Sequence, residues 1–277
     1  MPFLHLFTPY TNADNTKLIL RVNESRLRLF TRQLLAEFFG TLFVVYIVSG
    51  STLAANFAVS DPIVRVCLIC LVQGFAFAAI IWSISGISGC QLNPAVTVGC
   101  VTTGRMGILN GIAFIIFQCV GALVGAGMMK ASLPTFYERD LSATTLATGV
   151  NVARGFFLEM VTTSFLVFVV LGVAVYNEWD PRDPKISRVA PLAIGCAVIA
   201  GVGFLNLFTG GSLNPARSFG PAVFSDTWHR HYIYWFGPIC GGIIAGLFWR
   251  IFLSEKVLLI DRPYTDFHRS TYGTATK

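Results

Sequence analysis

Six stretches of the chain stay apolar long enough to cross roughly 30 Å of hydrocarbon, which takes about 20 helical residues. They run near Leu34 to Phe57, Val66 to Ser85, Ile108 to Met129, Val152 to Tyr176, Val189 to Phe208 and Tyr232 to Leu253. Two connections between them break the pattern of short polar links. "GCQLNPAVTVG", Gly89 to Gly99, and "GGSLNPARSFGP", Gly210 to Pro221, each place Asn-Pro-Ala between apolar runs. Asn is a strong helix N-cap because its side-chain oxygen takes an orphan backbone N–H. Pro suits the first helical position because its φ is already helical and it has no N–H to leave unpaired. The stretches Asn93 to Thr103 and Asn214 to Phe224 are then helices of about 16 Å, half a bilayer.

The halves of the chain resemble each other. "LLAEFFGTLFVVYIVSG" from Leu34 matches "GFFLEMVTTSFLVFVVLG" from Gly155, which sets Glu37 against Glu159 at an offset of 122 residues and Asn93 against Asn214 at 121. A nearly constant offset across such different residues marks an internal duplication. Each half holds three spans, an odd number, so the second enters the membrane from the opposite face. The two Asn-Pro-Ala segments then approach from opposite surfaces and meet at the midplane, each presenting the positive end of a half-helix. Non-helical backbone at that depth must line a water-filled cavity or be buried in protein. The pair therefore predicts a pore centre built from Asn93, Pro94, Ala95, Asn214, Pro215 and Ala216. The expected fold is an all-α membrane protein of six tilted transmembrane helices plus two re-entrant half-helices, related as an inverted repeat.

Composition agrees: 54% hydrophobic and 12% charged residues, with a mean hydropathy of +0.66 over 277 residues, leave too little polar surface for a water-soluble globule. An even number of spans puts both termini on one side, and basic residues choose the side. Lys17, Arg21, Arg26, Arg28, Arg32, Arg105, Arg182, Lys185, Arg188, Arg250, Lys256, Arg262, Arg269 and Lys277, 14 of 20, share it, which makes it cytoplasmic. The net charge of +6 is thereby a matter of topology and lipid contact, and no nucleic-acid partner is expected. The sequon Asn23-Glu24-Ser25 falls on the cytoplasmic side, where glycosylation is not expected. Met1 to Arg32 is mixed and polar and does not read as a cleaved signal peptide. The seven cysteines show neither metal-ligand nor disulfide-framework spacing. No nucleophile elbow, phosphate loop or metalloprotease helix is present, so neither an enzyme nor a cofactor is expected. The domain organisation follows as a cytoplasmic N-terminal segment (1–31), a channel domain (32–254, repeats about 32–130 and 152–254) and a cytoplasmic tail (255–277).

The paired signatures "SGCQLNPAVT" and "GGSLNPARSFGPAV", the first-span "AEFFGT", Glu159, Gln118 with Gly121, and "YWFGP" in the sixth span resemble the major intrinsic protein family, the aquaporins. The resemblance covers roughly residues 32–254. It implies a homotetramer with one pore per subunit and passive permeation of water and small neutral solutes. It also implies that Glu37 and Glu159 support the two loops by accepting their backbone hydrogen bonds, and that Arg217 belongs to an outer constriction, where it repels cations.

Counting from the Asn-Pro-Ala anchors, the family's filter positions fall on Gln73, Val202, Gly211 and Arg217. Strict water channels usually carry Phe and His at the first two, so a wider aperture is expected here. The set resembles the aquaporin-eight-like class, associated with water, ammonia and hydrogen peroxide. Ser218, Ala222, Tyr234 and Trp235 are water-type markers, which puts glycerol third. In many relatives a cysteine at the Gly211 position binds mercurials; here Cys90, three residues before Asn93, is the candidate. A polyol channel, a proton-coupled transporter and a junction protein on the same scaffold are the alternatives. The Gly121 and Gly242 small-residue stretches are expected to serve packing. The charged loop Tyr176 to Arg188, with Ser187, is a candidate gate, and amphipathic Leu18 to Phe30 a candidate inner-leaflet segment.

Overall fold

Caps set the ends of the helices. In the computed structural model, which describes residues 10–11, 17–18, 26–134, 140–176 and 185–253, α1 covers Arg26–Ala58 and α2 covers Pro62–Ser88. Asp61 caps α2 by accepting from the N–H groups of Ile63 (2.8 Å) and Val64 (3.0 Å), and Pro62 takes the first helical position. Gly89 ends the helix at a left-handed φ of 82°, a conformation that costs a glycine little. The half-helix α3, Pro94–Thr102, follows; then come α4 (Ile108–Ser132), α5 (Val152–Val170), α6 (Lys185–Thr209), the second half-helix α7 (Pro215–Ser225) and α8 (Ile233–Phe248). Single π-turns at Leu171–Tyr176 and Trp249–Leu253 prolong α5 and α8. Outside the helices, Tyr10–Thr11 pairs with Lys17–Leu18.

Among the described residues, six helices are long and apolar enough to span a bilayer: Leu27–Ala58, Pro62–Ser88, Ile108–Ser132, Val152–Val175, Val189–Thr209 and Ile233–Leu253. The first begins earlier than the apolar pattern indicates. Arg, Leu and Gln in "RLRLFTRQ" are good helix formers, so the helix continues past the point where hydropathy stops. Of the expected amphipathic segment Leu18 to Phe30, residues 19–25 lie outside the described residues; the helix is present from Arg26. The core of loop Tyr176 to Arg188, residues 177–184, and the tail after Leu253 also lie outside them, as does the side chain of Ser187.

The chain divides into Met1–Thr31 and Arg32–Lys277, and the packing that follows belongs to the second unit. Each half-helix leans on the last helix of the opposite repeat: α3 packs on α8, and α7 on α4. Small residues make these crossings close, since a Cβ on Gly242 would run into the Ala95 carbonyl and one on Gly220 into that of Ala122. Gly121 likewise admits the Phe38 backbone of α1 against α4. Basic side chains complete the exchange. Arg250 donates to the Thr102 carbonyl at the end of α3 (3.3 Å), and Lys130 to the Phe224 carbonyl near the end of α7 (3.3 Å). A cation at a helix C-terminus opposes the partial negative charge there. Both half-helices are therefore held with their positive ends inward.

Candidate functional site

The two half-helices begin alike. Asn93 and Asn214 have extended backbones (φ −157° and −149°), and each side-chain oxygen accepts from the N–H two residues on, Ala95 and Ala216, both at 2.9 Å. That cap leaves each carboxamide nitrogen free to point away from its own helix. Asn93 Nδ2 donates to the Leu213 carbonyl and Asn214 Nδ2 to the Leu92 carbonyl, both at 2.8 Å. The tips thus clasp each other by one N–H apiece, and the second N–H of each amide remains to donate elsewhere. Leu92 and Leu213, with φ of 53° and 56°, carry the backbone strain that turns their carbonyls across. A left-handed leucine costs about 1–2 kcal/mol and persists only where its surroundings hold it.

What holds it is a buried carboxylate beneath each tip. Glu37, on α1, accepts at Oε1 from Ser88 Oγ (2.6 Å) and the Gln91 N–H (2.9 Å), and at Oε2 from the Leu92 N–H and Gln118 Nε2 (both 2.8 Å). Glu159, on α5, accepts at Oε1 from Thr209 Oγ1 (2.6 Å) and the Ser212 N–H (3.0 Å), and at Oε2 from the Leu213 N–H (2.9 Å). Both carboxylates are fully buried. Three donors correspond between repeats, Ser88 with Thr209, Gln91 with Ser212 and Leu92 with Leu213, while Gln118 is an addition at Glu37. A carboxylate costly to bury alone is tolerable with its lone pairs so occupied. Tyr234, also fully buried, adds a brace by donating to the Thr209 carbonyl at 2.9 Å.

Arg217 is 2% exposed and sits in the first turn of α7. Its two terminal nitrogens both end on one neutral residue: Nη1 donates to the Ser142 carbonyl at 2.8 Å and Nη2 to Ser142 Oγ at 3.0 Å. Val202, on α6, lies against Gly211. A Cβ on Gly211, whose φ is 66°, would stand 3.4 Å from Val202 Cγ1, so the glycine leaves room there that any side chain would occupy. Gln73, 2% exposed on α2, donates through Nε2 to Thr52 Oγ1 at 3.0 Å. Its hydrogen bond goes to α1 and not to Arg217 or Gly211. Cys90, 5% exposed with a φ of 52°, has its N–H on Ser88 Oγ at 3.0 Å. Sequence reasoning passed over Thr52, Ser88, Ser142, Thr144 and Thr209. Hydroxyls of this kind carry no pattern of their own; only the duplication that pairs Ser88 with Thr209 could have drawn attention to two of them.

The chain matches the family model described as major intrinsic protein over residues 24–249. It is 99% identical over 277 residues to "Aquaporin C" of Dictyostelium discoideum, covering 100% of both chains. It is 42% identical over 250 residues to "Aquaporin A" of the same organism, covering 90% of this chain and 88% of that one. The X-ray structure of the aquaglyceroporin from Plasmodium falciparum superposes with a TM-score of 0.70 at 21% identity, over 81% of this chain and 97% of that chain, a likeness of fold.

Proposed function

The chain belongs to the major intrinsic protein family, and on that premise we propose that its pore conducts water first, ammonia or hydrogen peroxide second and glycerol a poor third. It is a multi-pass integral membrane protein and a passive channel, not an enzyme. The solute order rests on the filter set of Gln73, Val202, Gly211 and Arg217. An aliphatic Val202 beside Gly211 leaves an aperture without aromatic or imidazole rings, wide enough for solutes somewhat larger than water. The Gln73 carboxamide oxygen keeps it polar, since its nitrogen is engaged by Thr52. The names of the two Dictyostelium relatives favour the water reading.

At the centre, the remaining N–H of Asn93 and that of Asn214 donate to the oxygen of one passing water, whose own hydrogens then face the exits. Two positive half-helix ends oppose a cation or proton there. Glu37 and Glu159 act as supports, because among the described residues each holds the backbone N–H groups of its re-entrant loop. The assembly is a homotetramer in the bilayer with both termini cytoplasmic. Segments 1–31 and 255–277 flank the channel domain at 32–254.

Stopped-flow swelling of proteoliposomes with water, methylamine and glycerol tests the order. Glycerol flux matching that of methylamine would favour a polyol channel. Introducing Gln73→Phe with Val202→His is expected to lower methylamine flux far more than water flux. A proportional fall in both would remove the basis for the wide filter.

Mercuric ion is expected to slow water flux by binding the thiol of Cys90 in the first re-entrant loop, and Cys90→Ser channels to resist it. Cys67 and Cys196 are exposed on the helices and are the competing sites for the reagent. Undiminished inhibition in Cys90→Ser, or inhibition that added thiol does not reverse, would place the effect at another cysteine.

A further inference from the structure

Part of the connection between α4 and α5 is buried as surface loops usually are not. Leu141 is fully buried, Ser142 is 6% exposed and Thr144 3%. Leu141 and Ser142 both hold left-handed backbones, with φ of 47° and 61°. Asp140 folds the turn, its Oδ1 accepting from the Ser142 N–H at 3.0 Å and its carbonyl from the Ala143 N–H at 2.8 Å. Two residues later, Thr144 Oγ1 donates to Ser218 Oγ at 2.7 Å. Ser218 in turn lies 2.6 Å from Ser212 Oγ, which donates to the Asn214 carbonyl at 3.1 Å. The loop is thus tied to α7 at consecutive residues, through Ser142 to Arg217 and through Thr144 to Ser218.

We propose that the Ser142 hydroxyl is a positioning residue of the filter: by engaging Arg217 Nη2 while its own carbonyl engages Nη1, it fixes the plane of the guanidinium and thereby the selectivity of the outer constriction. A planar fork held at one nitrogen can swing about that bond; held at two, it cannot. Among the described residues Arg217 Nε has no hydrogen-bond partner, and the guanidinium is held there by these two bonds. Thr144 ties the same loop to α7, and Asp140 holds the Ser142 N–H.

The inference rests on Arg217 forming the outer constriction, and the test separates the two ideas. Ser142→Ala removes the hydroxyl and keeps the carbonyl bond. Ser142→Gly does the same and relieves the positive φ, so it carries the test if the alanine variant fails to assemble. Methylamine and water permeabilities and potassium leak are compared in tetramer-sized protein alongside Arg217→Val and the double variants. Loss of one charge-assisted bond is expected to raise the methylamine-to-water ratio about three- to tenfold, with no further rise when added to Arg217→Val. A merely structural role would lower both fluxes together. An unchanged ratio in the Ser142 variants, beside a changed one in Arg217→Val, overturns the positioning role alone. An equal rise in the Arg217→Val background shows that the hydroxyl acts elsewhere and overturns it too. If Arg217→Val leaves the ratio and the leak untouched, the constriction reading falls and takes this inference with it.

Discussion

Arg217→Val channels are expected to leak monovalent cations and to pass methylamine at a much higher ratio to water than the unaltered protein, while still folding. The guanidinium is the one fixed positive charge that our reading places at the outer constriction, and its terminal nitrogens are held by Ser142. A unit charge in a narrow, partly dehydrated passage raises the barrier to a like charge by about 4 kcal/mol at 4 Å for an effective dielectric of 20. Removing it therefore changes cation passage by about a thousandfold at the upper bound. Valine also shortens the side chain and widens the opening. Folding survives because the partners it loses are a serine carbonyl and hydroxyl on a loop that Thr144 still ties to Ser218. Ion flux and solute swelling in the same vesicles measure both effects. Unaltered selectivity in correctly assembled protein would remove Arg217 from the filter.

Glu37→Ala is expected to abolish assembly. Ser88 Oγ, the Gln91 and Leu92 N–H groups and Gln118 Nε2 all donate to that carboxylate. Each buried donor left without a partner costs about 1–3 kcal/mol. Four such losses approach the whole of the roughly 5–15 kcal/mol by which proteins are stable. Gln118 retains its bond to Thr97 at 3.0 Å, which softens one of them. Glu37→Gln should be milder: its oxygen still accepts from one pair of donors while its amide opposes the other. The expected series is no monodisperse protein for the alanine variant and a lowered melting temperature for the glutamine variant, read by size exclusion and thermal unfolding in detergent. An alanine variant that melts with the unaltered protein would show that the first loop stands without its carboxylate.

Much of this was legible in the chain because the bilayer imposes few and strict rules. Hydrocarbon offers no hydrogen bonds, so spans must be helices of a set length, and Leu34 to Phe57 or Val189 to Phe208 announce themselves by apolarity alone. Asn93-Pro94 and Asn214-Pro215 announce helix starts because capping is a local interaction. The duplication relating Glu37 to Glu159 and Asn93 to Asn214 implied opposed half-helices because an odd number of spans reverses direction. What could not be read off the chain depends on groups far apart in sequence. Nothing near Asn93 shows that its amide ends on Leu213, 120 residues away. Nothing near Ser142 or Thr144 indicates that a loop between spans reaches in to hold Arg217 and Ser218. The start of α1 at Arg26 was obscured for another reason: helix propensity carries a helix beyond the apolar edge that hydropathy detects.

The chain by itself determined the membrane class, the six spans, the inverted repeat and the two half-helix starts, since each follows from local propensity or from the demand that backbone polar groups be satisfied within lipid. The crossed clasp of Asn93 and Asn214, the donor sets on Glu37 and Glu159, the exchange of α3 onto α8 and α7 onto α4, and the hold of Ser142 on Arg217 were decided only by the tertiary structure. Short, directional hydrogen bonds between distant residues leave no period or composition in the sequence, and a serine that holds a guanidinium is spelled the same as one that faces water.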